Sequence, residues 1–130
     1  MNRSSQKNLP ANVLEAHPYL RQALELIADK WVVAVLYILS QGTRRYGELQ
    51  REIGEISQRM LTRTLRDLER NGLLQRKVYP VVPPMVEYSL TLLGETLNGV
   101  LKLLCDWSTE NYDAVETARA EYDQSQGEGV

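Results

Sequence analysis

The chain has 130 residues with 15 basic and 17 acidic side chains, a length that fits one domain with a proper core and is small for an enzyme with an enclosed site. Its single cysteine, Cys105, excludes an internal disulfide framework, and one histidine beside one cysteine leaves too little for a structural zinc site. No apolar run approaches the ~20 residues that cross a bilayer, and the start, Met1 to Gln6, lacks a hydrophobic signal region, so the expectation is a cytoplasmic protein without membrane contact.

Residues 1–12 are polar and aperiodic and read as a flexible arm, followed by a domain over 13–123 and a disordered tail over 124–130. Pro18 suits the first turn of a helix whose buried side is marked by Leu20, Leu24 and Ile27. Asp29 can cap the next helix, in which Trp31 to Leu39 is apolar nearly all round, as a central core helix requires. Its β-branched residues leave a buried strand as the competing assignment. Gly42 closes this element, and Thr43-Arg44-Arg45 reads as a short basic link. Tyr46 to Ile53 gives a short helix with Leu49 and Ile53 four apart, and Gly54-Glu55-Ile56 is a turn.

The next stretch, Ser57 to Gly72, carries its own start and stop. Ser57 is a good N-cap, and Asn71-Gly72 tolerates the left-handed backbone that ends a helix. Leu61, Leu65 and Leu68 form an apolar stripe, while Arg59, Thr62, Arg63, Arg66 and Arg70 share another face. Two helices joined by a tight glycine-containing turn, the second presenting a polar face, form a helix-turn-helix pattern. After Gly72 the period changes. Leu73 to Tyr79 and Val86 to Leu90 read as strands, with the prolines of Pro80 to Met85 marking the tip of a hairpin, a wing. Leu93, Leu97, Val100, Leu101, Leu104, Trp107, Asn111 and Val115 then recur at steps of three and four, giving a helix over about 94–122. It outreaches a small core, and a second copy of the chain is the expected cover for its apolar face.

Charge follows this plan. Residues 1–42 carry a net +1, residues 43–86 carry +4 with nine basic groups, and residues 87–130 carry −7. A basic middle third and an acidic end fit a protein that offers one face to phosphates.

Several of these segments, in order, resemble the HxlR family of winged helix-turn-helix regulators: Leu26 to Trp31, Arg44 to Leu49, Ile56 to Thr62, Leu65 to Leu73, Val78-Tyr79-Pro80, Pro83 to Tyr88 and Leu90 to Gly94. The likeness covers residues 14–110. It implies a mainly α fold with a small β-hairpin, a winged helix-turn-helix with a long C-terminal dimerisation helix. It also implies a bacterial, cytoplasmic homodimer joined through the C-terminal helix and N-terminal segment, which binds double-stranded DNA and controls transcription. Two departures stand out. Relatives that sense thiol-reactive compounds carry a cysteine before the proline that opens the first helix, where this chain has His17-Pro18. The wing often has a basic residue after Pro-Pro, and here it is Met85.

The expected function is therefore a sequence-specific regulator, a repressor, acting as a homodimer on a palindromic operator. Gln58, Arg59, Thr62 and Arg63 are assigned to base edges, since arginine pairs bidentately with guanine and glutamine with adenine. Arg44, Arg45, Arg66 and Lys77 are assigned to phosphates. Ser57 is a cap whose hydroxyl could also reach a phosphate, and Arg70 a solvated charge. A second hypothesis is an effector or redox sensor, with Trp31, Tyr37, Trp107 and Tyr112 near a small-molecule pocket and Cys105 as a redox switch. A third is a winged-helix module that binds only proteins. An enzyme is not expected, and no metal or cofactor is implied: the chain has no glycine-rich phosphate loop and no nucleophile–base pair.

Overall fold

The computed structural model describes residues 13–128, so the reading of residues 1–12 as an arm lies outside the described residues. Among the described residues six helices and three strands follow one another: α1 (Val13–Ala16), α2 (Pro18–Ile27), α3 (Lys30–Leu39), β1 (Arg44–Arg45), α4 (Tyr46–Ile53), α5 (Gln58–Arg70), β2 (Leu74–Tyr79), β3 (Met85–Leu90) and α6 (Leu92–Glu128). This is a mainly helical winged helix-turn-helix.

Local chemistry sets the element ends. The Asp29 carboxylate accepts from the Trp31 and Val32 N–H groups at 2.9 and 3.3 Å, which satisfies free donors at the start of α3. The segment from Trp31 to Leu39 is helical, not a strand, and buries Val32, Val35, Leu36, Ile38 and Leu39. At the end of α5, Leu73 N–H donates to the Leu68 carbonyl and Gly72 N–H to that of Glu69, both at 3.0 Å. Gly72 has φ +76°, and Leu73 and Leu68 are both buried, so this is a Schellman ending with its hydrophobic contact.

The sheet has the order β1-β3-β2 and is antiparallel throughout. Leu74 faces Leu90, Lys77 faces Glu87 and Tyr79 faces Met85, so the tip of the wing is Pro80 to Pro84. Met85 thus belongs to β3, not to the tip. The basic link before α4 is also a strand, with Arg44 opposite Tyr88 and Arg45 opposite Glu87. Two residues are too short to display a period, and only pairing with β3 makes them a strand.

One core joins α3, α4, α5, the sheet and the start of α6, through Leu36, Leu49, Leu61, Leu65, Leu68, Leu74 and Leu101 among others. Truncating a leucine in such a site costs about 2–5 kcal/mol. The remaining apolar stripes are not covered. Leu20 and Leu24, expected to be buried, are exposed on α2, which has no buried residue. On α6 Leu101 is the one buried hydrophobic side chain among the described residues, whereas Leu93, Val100, Leu103, Leu104 and Trp107 are exposed. This helix also runs beyond the expected 94–122 span and as far as Glu128 into the segment expected as a tail, whose last two residues lie outside the described residues; Ala118, Ala120, Glu121 and Gln124 are good helix formers, and no glycine or proline stands between Gly99 and Gly127. Among the described residues no helix is long and apolar enough to cross a membrane.

Candidate nucleic-acid interface

Helix α5 is built with two unlike faces. Leu61, Thr64, Leu65 and Leu68 are buried, and Ser57 caps the first turn by accepting from Met60 N–H at 3.1 Å. The opposite side forms an open concavity lined by Gln58, Arg59, Thr62, Arg63, Arg66 and Asp67. The four residues assigned to base edges are thus brought together on one outward surface, with Arg66 one turn further along. Arg70 falls outside it, beside α2 and Asn71.

The inner edge of this surface is held by a residue the sequence did not single out. The Tyr46 hydroxyl donates to the Gln58 carbonyl at 3.0 Å and lies 3.2 Å from Thr62 Oγ1. A phenol has one proton, so with that proton on Gln58 the Thr62 hydroxyl is the donor in the second bond. Tyr46 opens α4 and touches the first turns of α5, tying the two helices of the motif together. No local signal marks it, because its partners lie twelve and sixteen residues ahead.

The positions assigned to phosphates have unequal surroundings. Arg44 Nε donates to Glu52 at 2.7 Å and another guanidinium nitrogen to the Thr43 carbonyl at 3.2 Å; its side chain is only 19% exposed. It is a clamp between β1 and α4. Arg45 is exposed, its backbone N–H donates to Glu48 at 2.7 Å, and it lies beside the wing tip, lining a shallow hollow with Val82, Pro84 and Met85. Lys77 sits on the exposed side of β2, its ammonium 4.9 Å from the centre of the Tyr79 ring. The Tyr79 hydroxyl donates in turn to Glu87 at 2.8 Å.

Between helix and wing, Arg76 meets Glu69 at 3.6 Å. Tyr88 lies in the cleft they share with Tyr46, Thr62 and Arg66. Burial raises its phenol above the ordinary 10.0; Arg76 opposes that rise, Glu69 and Tyr46 add to it, and Arg66 opposes it. Cys105 is exposed on α6 and lines a cavity of about 370 Å³ between α3 and α6, with Tyr37, Asn98 and Leu101 in its wall. Of the aromatic residues assigned to a pocket, only Tyr37 lines this one. His17 precedes Pro18 at the entry to α2 and makes no side-chain capping bond. Among the described residues no cluster of His, Cys, Asp and Glu could hold a metal ion.

Comparison with known proteins agrees with this architecture. The chain is 49% identical over 104 residues to the uncharacterised HTH-type transcriptional regulator YkvN of Bacillus subtilis, covering 80% of this chain and 87% of that one. A solved structure of the putative transcriptional regulator ytfH from Salmonella typhimurium superposes with a TM-score of 0.68 at 42% identity, over 77% of this chain and 89% of that one. The redox regulator HypR in its reduced form superposes with a TM-score of 0.71 at 40% identity, over 75% and 97% of the two chains. The family model for the HxlR-like helix-turn-helix matches residues 26–116, a span that takes in the capped core helix, both helices of the motif, the wing and most of α6. A helix-turn-helix with this wing, this stretch of sequence and these relatives makes the chain a transcriptional regulator of the HxlR family.

Proposed function

We propose that the chain acts in the cytoplasm as a homodimeric repressor, each protomer placing α5 in a major groove of a palindromic operator. The observation that carries this is the sorting of α5: leucines inward, and Gln58, Arg59, Thr62, Arg63 and Arg66 gathered on one open surface. A groove 12 Å wide admits such a helix, and these side chains match the donors and acceptors of base edges. Arg45, Arg66 and Lys77 supply phosphate contacts, and Arg44, engaged by Glu52, contributes less. The uncovered stripes of α2 and α6 supply the two-fold contact; left in water, that much contiguous apolar surface is unfavourable. No reaction is assigned to the chain.

The test is selection of duplexes from a randomised pool, followed by a salt titration on the winner. The expected product is an inverted repeat whose half-sites are about one helical turn apart, ~10–11 bp, with affinity falling steeply as salt rises. Recovery of no preferred sequence, or binding indifferent to salt, overturns the proposal and leaves the protein-interaction module standing.

A second reading is favoured by one relative, since the similar HypR is a redox regulator. Here the responding thiol would be Cys105, exposed on α6. If oxidant releases operator DNA from the wild-type protein and from Cys105→Ser alike, thiol switching is excluded.

A further inference from the structure

Thr62 is half-buried and belongs to two surfaces at once. It lines the open concavity with Gln58, Arg59, Arg63 and Arg66, and it lines the inner cleft with Tyr46, Leu65 and Tyr88. Its hydroxyl is turned to the inner side, where it donates to the Tyr46 oxygen at 3.2 Å. The Tyr46 proton is directed to the Gln58 carbonyl, so the roles in this pair are fixed. The two branches of a threonine side chain diverge from Cβ. A hydroxyl held toward α4 leaves the γ-methyl as the group offered to the outer surface.

On that geometry we infer that Thr62 is a thymine-reading residue, its methyl packing against the C5-methyl of a thymine, and that Tyr46 is the positioning residue that makes it so. A threonine in a helix divides its population between two χ1 rotamers because its hydroxyl has alternative backbone acceptors. The phenol removes that choice by providing one acceptor from outside the helix. Of the four base pairs, only A·T and T·A display a methyl in the major groove, and apolar contact with it carries sequence information without a hydrogen bond. The inference rests on α5 entering the major groove, and it adds which chemistry one of its positions reads.

The experiment uses the full chain and the preferred duplex selected from a randomised pool, with each thymine replaced singly by deoxyuridine, which deletes only the methyl. The wild-type protein should bind about fourfold more weakly at one symmetric pair of positions, the loss appropriate to one buried methyl. Thr62→Ser, which lacks the γ-methyl, should bind thymine and uracil duplexes equally there. Thr62→Val, which keeps the methyl and lacks the hydroxyl, should still discriminate. Tyr46→Phe should reduce the discrimination, because the rotamer is released. If Thr62→Ser discriminates as the wild type does, or Thr62→Val does not discriminate, methyl reading by Thr62 is wrong although α5 still reads DNA. If no duplex is preferred over random sequence, the groove reading itself has failed.

Discussion

The Thr91 hydroxyl donates to the Gly72 carbonyl at 2.6 Å and accepts from the Gly94 N–H at 3.0 Å, so a single side chain joins the end of α5 to the start of α6. The backbone adds a second link, from Thr91 N–H to the Leu73 carbonyl at 3.2 Å. Gly94 is buried against this junction, and a Cβ there would run into the Leu73 carbonyl oxygen. Thr91→Val keeps the shape and removes both hydroxyl bonds, and should lower stability by about 1–3 kcal/mol, with Thr91→Ser close to wild type. Gly94→Ala should cost about 1–3 kcal/mol through overpacking against backbone, which cannot swing aside. Urea unfolding at one fixed protein concentration measures both. An unchanged midpoint for Gly94→Ala would mean the junction is looser than described.

Base reading and phosphate binding should separate by mutation. Arg63→Ala is expected to blur preference at one position of the half-site, at about 1–3 kcal/mol for the favoured sequence, whereas Lys77→Ala weakens all sequences alike and lowers the salt slope by about 1. Competition binding with specific and random duplexes at several salt concentrations distinguishes the two patterns. Equal losses on all sequences for both variants would refute the division.

The two neighbouring arginines of β1 should behave differently. Arg44 is drawn onto Glu52, and Arg45 is open to solvent beside the wing. Arg45→Ala should therefore reduce DNA affinity more than Arg44→Ala. Glu52→Gln should raise affinity at low salt by releasing the Arg44 charge, with a stability change within about 1 kcal/mol because the pair is partly exposed. Duplex titrations of the three variants at low and high salt provide the comparison.

These arginines also show where sequence stops being informative. Leu61, Leu65 and Leu68, the Ser57 and Asp29 caps and the Gly72 ending were all legible, because each depends on residues within one or two turns of chain. Membership of β1 depends on Tyr88 and Glu87, more than forty residues away. The engagement of Arg44 by Glu52 and of Thr62 by Tyr46 likewise joins separate elements, so composition alone could not tell a free arginine from an occupied one. The arginine-bearing surface of α5 was readable as a stripe; its pairing state was not.

Alkaline pH should act through Tyr88. Below 10.0 both the folded and the unfolded chain keep this phenol protonated, and pH has no effect through it. Above 10.0 the unfolded chain releases the proton first, because burial holds the folded value higher, so stability falls as pH rises through the folded value. Tyr88→Phe should have a shallower loss of stability above pH 10 than wild type. Denaturation midpoints taken across that range test it, and parallel curves would exclude Tyr88 as the source.

Leu104 and Trp107 lie three residues apart on the uncovered side of α6. Replacing both with glutamate should leave a folded monomer in light scattering, since neither side chain is in the core. Operator affinity should drop steeply, because one protomer holds only one half-site. A variant that remains dimeric would place the two-fold contact elsewhere.

The length of α6 has a mechanical meaning. Its 37 residues extend about 55 Å at 1.5 Å per residue, and one end is pinned at Thr91 to the Gly72-Leu73 turn that ends α5. It is a lever whose fulcrum lies at the C-terminal end of α5. In a two-fold pair, the angle at which the two levers cross fixes the distance between the recognition helices, so a few degrees of rotation would change the half-site spacing while every contact within α5 stayed intact. Selection can then retune which operators are spanned by altering residues on α6 that never approach a base.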